Sequence, residues 1–113
     1  MFNGKILTAT KTIQKEFQIK NLELNKVVLF GSFTKKTQTH GSDIDILIVS
    51  RNFRKKSLDT RINMTLGLSR KLVEVLDIPI DLLFYSDEEW KNSNSLILNE
   101  AKKDGKLIFE KLR

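Results

Sequence analysis

From Lys5 to Ile19 apolar residues return every three or four positions, at Ile6, Ala9, Ile13 and Phe17 with Leu7 beside them, which predicts an amphipathic helix. Lys26–Phe30 is a short apolar run that reads as a buried strand and leads into Gly31-Ser32. A polar stretch follows, and Asp43–Val49 then predicts a second strand. Leu58, Ile62, Leu66, Val73 and Leu76 fall along one helical stripe, interrupted at Ser69, so Leu58–Leu76 is expected to be the longest helix. Asp59 lies in its first turn, where the helix dipole favours an acid. Ile78–Tyr85 predicts a third strand, with Pro79 at an end where its missing N–H is tolerated. Asp87, Glu88 and Glu89 after Ser86 read as the opening turn of a helix, Ser93–Lys103 as helical up to Gly105, and Lys106–Glu110 as a closing strand.

This order predicts an α/β (α+β) domain in which a small mixed sheet carries helices on one face and leaves the other for a site. A chain of 113 residues supports one hydrophobic core, so a single domain over 1–113 is expected. No repeat or low-complexity tract interrupts it. Lys5, Lys11, Lys15 and Glu16 break up the first twenty residues, which excludes a signal peptide or spanning segment there. The chain has no cysteine, so disulfides and thiolate chemistry are excluded and a cytoplasmic home is the expectation. Lysine and arginine outnumber aspartate and glutamate by 20 to 14, a net +6 that favours anionic partners. The basic residues are scattered and not interleaved with aromatics, so direct nucleic-acid binding is not expected.

The chemistry concentrates between Gly31 and Asp45. Side chains alternate along a strand, so Asp43 and Asp45 project from one face while Ile44, Ile46 and Ile48 take the other. Two carboxylates held so close repel, and a divalent cation such as Mg²⁺, which takes carboxylates, waters and phosphates as ligands, relieves that repulsion. Asp81 interrupts the apolar Ile80–Phe84 run, where a buried acid with a purely structural role is hard to explain, and its strand is placed beside the Asp-X-Asp strand. Gly31 permits close approach of backbone amides to a phosphate, and the Ser32 hydroxyl adds a donor. Lys35 or Lys36 supplies a point charge to the same phosphates.

Each feature also has a plainer reading. Gly-Ser after a strand is commonly just a turn, and an isolated Asp-X-Asp is often a solvated edge. Their joint occurrence with Asp81 favours a site. His40 reads as a solvated loop residue, Tyr85 and Trp90 as packing, and Asp87, Glu88 and Glu89 as helix N-terminal charges.

The pattern Gly31-Ser32, ten residues, then Asp43-Ile44-Asp45, with Ser42 just before the first acid, resembles the nucleotidyltransferases of the DNA polymerase beta superfamily, and among them the minimal nucleotidyltransferases of prokaryotes. Ile80-Asp81-Leu82 is similar to the family's third-acid strand, and the resemblance runs through the closing Asp104–Phe109 segment. Phe33-Thr34-Lys35-Lys36 departs from the arginine and glycine that many relatives carry after Gly-Ser. The resemblance implies a nucleotidyltransferase fold and a metal site of Asp43, Asp45 and Asp81 for two Mg²⁺ ions. ATP is the implied substrate, with Gly31, Ser32, Ser42 and Lys35 at the nucleotide. Lacking the acceptor-holding second domain of larger relatives, the chain is expected to act on a partner. The resemblance implies a HEPN toxin, with this chain the antitoxin that transfers AMP to a toxin tyrosine in a hetero-oligomer. The alternatives are an antitoxin that neutralises by binding alone, and transfer to a small molecule or RNA.

Overall fold

The computed structural model describes residues 2–30 and 44–112. The elements are helix α1 (Phe2–Ile19), strands β1 (Lys26–Phe30) and β2 (Ile44–Val49), a 3₁₀ turn (Arg51–Phe53), helices α2 (Leu58–Met64) and α3 (Leu68–Leu76), strand β3 (Ile80–Tyr85), helices α4 (Asp87–Asn92) and α5 (Leu96–Asp104), and strand β4 (Lys106–Glu110). The sheet order is β3-β2-β1-β4. β3 runs parallel to β2, whereas β1 is antiparallel to both β2 and β4, so the sheet is mixed as expected.

Alternation along the strands builds two cores. Val27 and Leu29 of β1, with Ile44, Ile46 and Ile48 of β2, face α1 and α3, where Ala9, Ile13, Phe17, Leu68, Leu72 and Leu76 are buried. Phe53 lies at the centre of this layer, edge-on to Phe17 at 6.2 Å and to Phe84 at 5.5 Å between ring centroids. The opposite face is not left open along its length. Val28, Phe30, Leu47 and Val49 are covered by Leu98 and Ala101 of α5, with Trp90 and Tyr85 packed at the margin. The expectation of helices on one face holds for α1 and α3, but α5 packs on the other face, which the apolar residues Val28, Phe30, Leu47 and Val49 require to be covered. Gly105 makes that close approach possible, since a Cβ there would lie 2.4 Å from the Ala101 carbonyl oxygen and 2.6 Å from Val28 Cγ1.

The helix expected over Leu58–Leu76 is two helices. Gly67 adopts a left-handed φ of 90°, a conformation glycine takes without strain, and the chain turns there. The turn also changes which stripe faces inward. Leu68, Leu72 and Leu76 are buried, while Leu58, Ile62, Leu66 and Val73, expected in the core, are exposed; Leu7 of α1 is exposed as well.

The one buried residue of α2 is Arg61. Its guanidinium donates to the Lys56 carbonyl at 3.0 Å, to the Phe84 carbonyl at 2.8 Å and to both carboxylate oxygens of Glu89 at 2.8 and 3.2 Å, and it lies over the Phe53 ring. Glu89 in turn accepts from the Ser86 amide while the Ser86 hydroxyl accepts from the Glu89 amide, a reciprocal cap that starts α4. A second latch joins α1 to α3, where Glu16 takes Lys71 and Lys20, and Lys20 also donates to the Leu66 carbonyl at 3.0 Å. Among the described residues no helix is long and apolar enough to cross a membrane.

Burial raises the Glu89 carboxyl, but the Arg61 guanidinium and the Ser86 donors outweigh it and hold it below its ordinary 4.5. Glu16 is held below the same value, first by its bond to Lys71. A depressed carboxyl contributes stability that is present above its unfolded pKa and lost as pH falls through the folded value. Urea titrations are expected to show a constant stability above about pH 5 that declines on acidification, with a shallower decline in Glu89→Gln. Arg61→Ala, which strands the Phe84 carbonyl and the Glu89 carboxylate, is expected to cost about 2–4 kcal/mol at pH 7. A cost under about 0.5 kcal/mol in that titration would remove the clamp from the account.

Candidate functional site

The polar row of the second sheet face lies at the end of the sheet where β1 finishes and β2 begins. Phe30 is the register partner of Asp45, and Asp45 is the register partner of Asp81. Directly paired strand residues project from the same face, so the Asp45 and Asp81 side chains stand on adjacent strands. The face is the one bearing Leu47 and Val49, opposite the core formed by Ile44, Ile46 and Ile48. Phe30 and Leu47 place an apolar floor beside the acids, and α5 stops short of covering them: Asp45 is half-buried and Asp81 exposed.

β3 was expected beside the Asp-X-Asp strand, and it is. Its acid is nevertheless not buried, because β3 is an edge strand; the argument that rested on the cost of burying Asp81 does not apply. What distinguishes Asp81 is its register. Slipping the β2–β3 pairing by one residue would turn Asp81 onto the face of Ile46 and Phe84. Asp45 and Asp81 both engage in further interactions within the protein.

Gly31, Ser32, Lys35, Lys36, His40, Ser42 and Asp43 lie outside the described residues. Among the described residues no three histidine, cysteine or acidic side chains gather as a metal-binding group. The described pair nonetheless supplies hard carboxylate oxygens from two neighbouring strands, a donor set that fits a hard divalent cation and not a thiolate- or imidazole-seeking one. Trp90 and Tyr85, read as packing residues, do pack against the second core. Asp87 and Glu89 do sit at the start of α4, where Asp87 also takes the Arg54 guanidinium at 2.8 Å. That bond, outweighing partial burial, holds the Asp87 carboxyl below its ordinary value. The feature that sequence reasoning missed is the Arg61 clamp on β3, which has no local sequence signal, since α2 mixes polar and apolar residues around Arg61.

Residues 11–113 match the family described as polymerase beta, nucleotidyltransferase. Solved structures share the fold. A nucleotidyltransferase structure from Sulfolobus solfataricus is 18% identical, with a TM-score of 0.58 over 96% of this chain and 86% of that one. A toxin–antitoxin structure with AMP-PNP is 28% identical, with a TM-score of 0.54 over 89% of this chain and 73% of that one. A tri-AMPylated Shewanella oneidensis HEPN toxin in complex with MNT antitoxin is similar at 25% identity and a TM-score of 0.53, covering 95% and 73%. No curated protein matches the chain by sequence.

If the two carboxylates share a cation, Mg²⁺ should stabilise the fold by mass action, by about 2–3 kcal/mol at a hundredfold excess over Kd. Melting curves in EDTA and in MgCl₂ are expected to separate for the wild type and to converge for Asp45→Asn and Asp81→Asn. An equal gain in all three proteins would place the cation elsewhere.

Proposed function

Since the chain belongs to the polymerase beta nucleotidyltransferase family, we propose that it transfers AMP from ATP to a hydroxyl of a partner protein, and that the partner is a HEPN toxin modified on tyrosine. The observation that carries the reading is the side-by-side placement of Asp45 and Asp81 on adjacent strands of this fold. The similarity to a toxin–antitoxin structure with AMP-PNP and to a complex holding a tri-AMPylated HEPN toxin supports the choice of nucleotide and partner.

In this reading Asp43, Asp45 and Asp81 hold Mg²⁺, two ions in all. When bound, the metal neutralises triphosphate charge and lowers the pKa of the attacking hydroxyl. The Gly31 backbone and the Ser32 hydroxyl donate to phosphate oxygens, with Ser42 and Lys35 at the nucleotide. The acceptor oxygen forms a bond to the α-phosphorus in line with the α–β bridging oxygen, that bridge breaks, and pyrophosphate leaves. Asp81 takes the hydroxyl proton, a role its exposed position on the edge strand allows. Positioning and charge neutralisation supply most of the acceleration in phosphoryl chemistry, so a small domain suffices. The cytoplasm supplies ATP and Mg²⁺ for such a reaction.

Label transfer from α-³²P-ATP with Mg²⁺ to a purified HEPN-domain protein encoded beside this chain tests this. Wild type is expected to label it, and Asp43→Asn/Asp45→Asn to reduce labelling by at least about a thousandfold, since a charge-neutralising element is lost. Absence of label with wild type, while the partner is neutralised by both proteins, would replace transfer with neutralisation by binding.

A further inference from the structure

α2 is built inside out. Its buried residue is the charged Arg61, held by Glu89 and the Phe84 carbonyl, whereas Leu58 is 61% exposed and Ile62 44%. Leu66, in the turn that follows, is 68% exposed. A helix normally turns such residues to its own core. Here the ion pair of buried Arg61 with half-exposed Glu89 anchors the helix through its polar residue and leaves Leu58 and Ile62 outward, and exposed apolar residues grouped at helical spacing offer an interaction surface that scattered single residues do not.

The stripe borders a cavity of about 300 Å³ between the α2–α3 turn and the outer edge of β3, lined in part by Ile62, Leu66, Ile80 and Leu82. Asp81 lines it too. The cavity and the carboxylate row therefore meet at one residue of the edge strand. The ends of the stripe are basic and exposed, with Lys55 and Lys56 before α2 and Arg70 after the turn; Asp59 is the lone acid from 55 to 70. A second copy of this chain, itself at +6, would bring like charge against those ends.

We infer that the Leu58–Ile62–Leu66 stripe and the cavity beside it dock an apolar, acid-flanked segment of the protein that carries the acceptor hydroxyl, seating that partner over the β3 edge next to Asp81. The inference rests on the reading that the acceptor belongs to a partner protein. It adds where that partner grips. Recognition by a groove against an edge strand leaves the carboxylate face clear for nucleotide, so partner and ATP bind at once.

The test is the affinity of the full chain for the purified co-encoded protein, measured by calorimetry for wild type, Leu58→Glu/Leu66→Glu and Lys55→Glu/Lys56→Glu. Both leucines are exposed, so the first variant is expected to keep its melting temperature and its MgATP affinity while losing at least about tenfold in partner affinity. The charge-reversed variant is expected to bind more weakly, with a deficit that shrinks as salt rises. Unchanged partner affinity in Leu58→Glu/Leu66→Glu overturns the inference even if label transfer succeeds. A wild-type dimer in sedimentation that the leucine variant splits, with no change in partner affinity, overturns it in favour of a second copy. Failure of the transfer reading is separately visible: partner binding that depends on Leu58 and Leu66 without any label transferred leaves the docking surface standing and removes the chemistry.

Discussion

The parallel pairing of β2 with β3 is the constraint on which the rest of the molecule turns. β2 is hydrogen-bonded on both sides, and five of its six residues are buried. Its register is fixed by hydrophobicity on both faces, with Ile44, Ile46 and Ile48 committed to one core and Leu47 and Val49 to the other. β3 inherits that register, and the position opposite Asp45 is Asp81. Two like charges meet across a strand pair because the apolar residues on either side leave them no other phase. The pair sits at the end of the sheet where β1 finishes and β2 begins, with Asp81 exposed to solvent.

An edge strand whose register sets Asp81 opposite Asp45 has one neighbouring strand to hold it, and contacts from outside the sheet add to that support. Arg61 provides part of it by donating to the Phe84 carbonyl from outside the sheet, and the same guanidinium ties the start of α4 through Glu89. The arginine is thus held by carbonyls, a carboxylate and an aromatic ring at once, the arrangement in which a buried charge is tolerated. It also has a consequence for the surface, because α2, anchored through Arg61, turns Leu58 and Ile62 outward while Met64 packs against the core.

Much of the architecture could be read from the residues. The bounds of β1 and β4 coincide with the runs Lys26–Phe30 and Lys106–Glu110, and the start of α4 with Ser86 and the acids after it. The helix from Leu58 to Leu76 could not be read correctly, and the reason is geometric. Leu58, Ile62 and Leu66 satisfy helical spacing, and so do Leu68, Leu72 and Leu76. Periodicity identifies a stripe without saying which of two stripes meets the core, and the left-handed turn at Gly67 resets the phase between them. The Arg61–Glu89 bond spans 28 residues and leaves no local trace. The expected neighbouring of β3 and the Asp-X-Asp strand holds and pairs Asp45 with Asp81, but the burial of Asp81 on which it leaned does not, because exposure depends on sheet order, which single-strand patterns do not contain.

Asp45 and Asp81 lie 36 positions apart, and the chain between them completes a turn and two helices before β3 lies against β2. Parallel strands joined in this way are among the slower contacts to form, since loop closure precedes any gain from pairing. Opposition of the carboxylates therefore requires the whole crossover, which Phe53, Leu68 and Leu72 pack into the core. The Asp45–Asp81 pair exists only in the finished fold, and an ion held by both would select that fold over its precursors. In that sense the crossover works as a proofreading step: only a correctly wound chain presents Asp45 and Asp81 side by side.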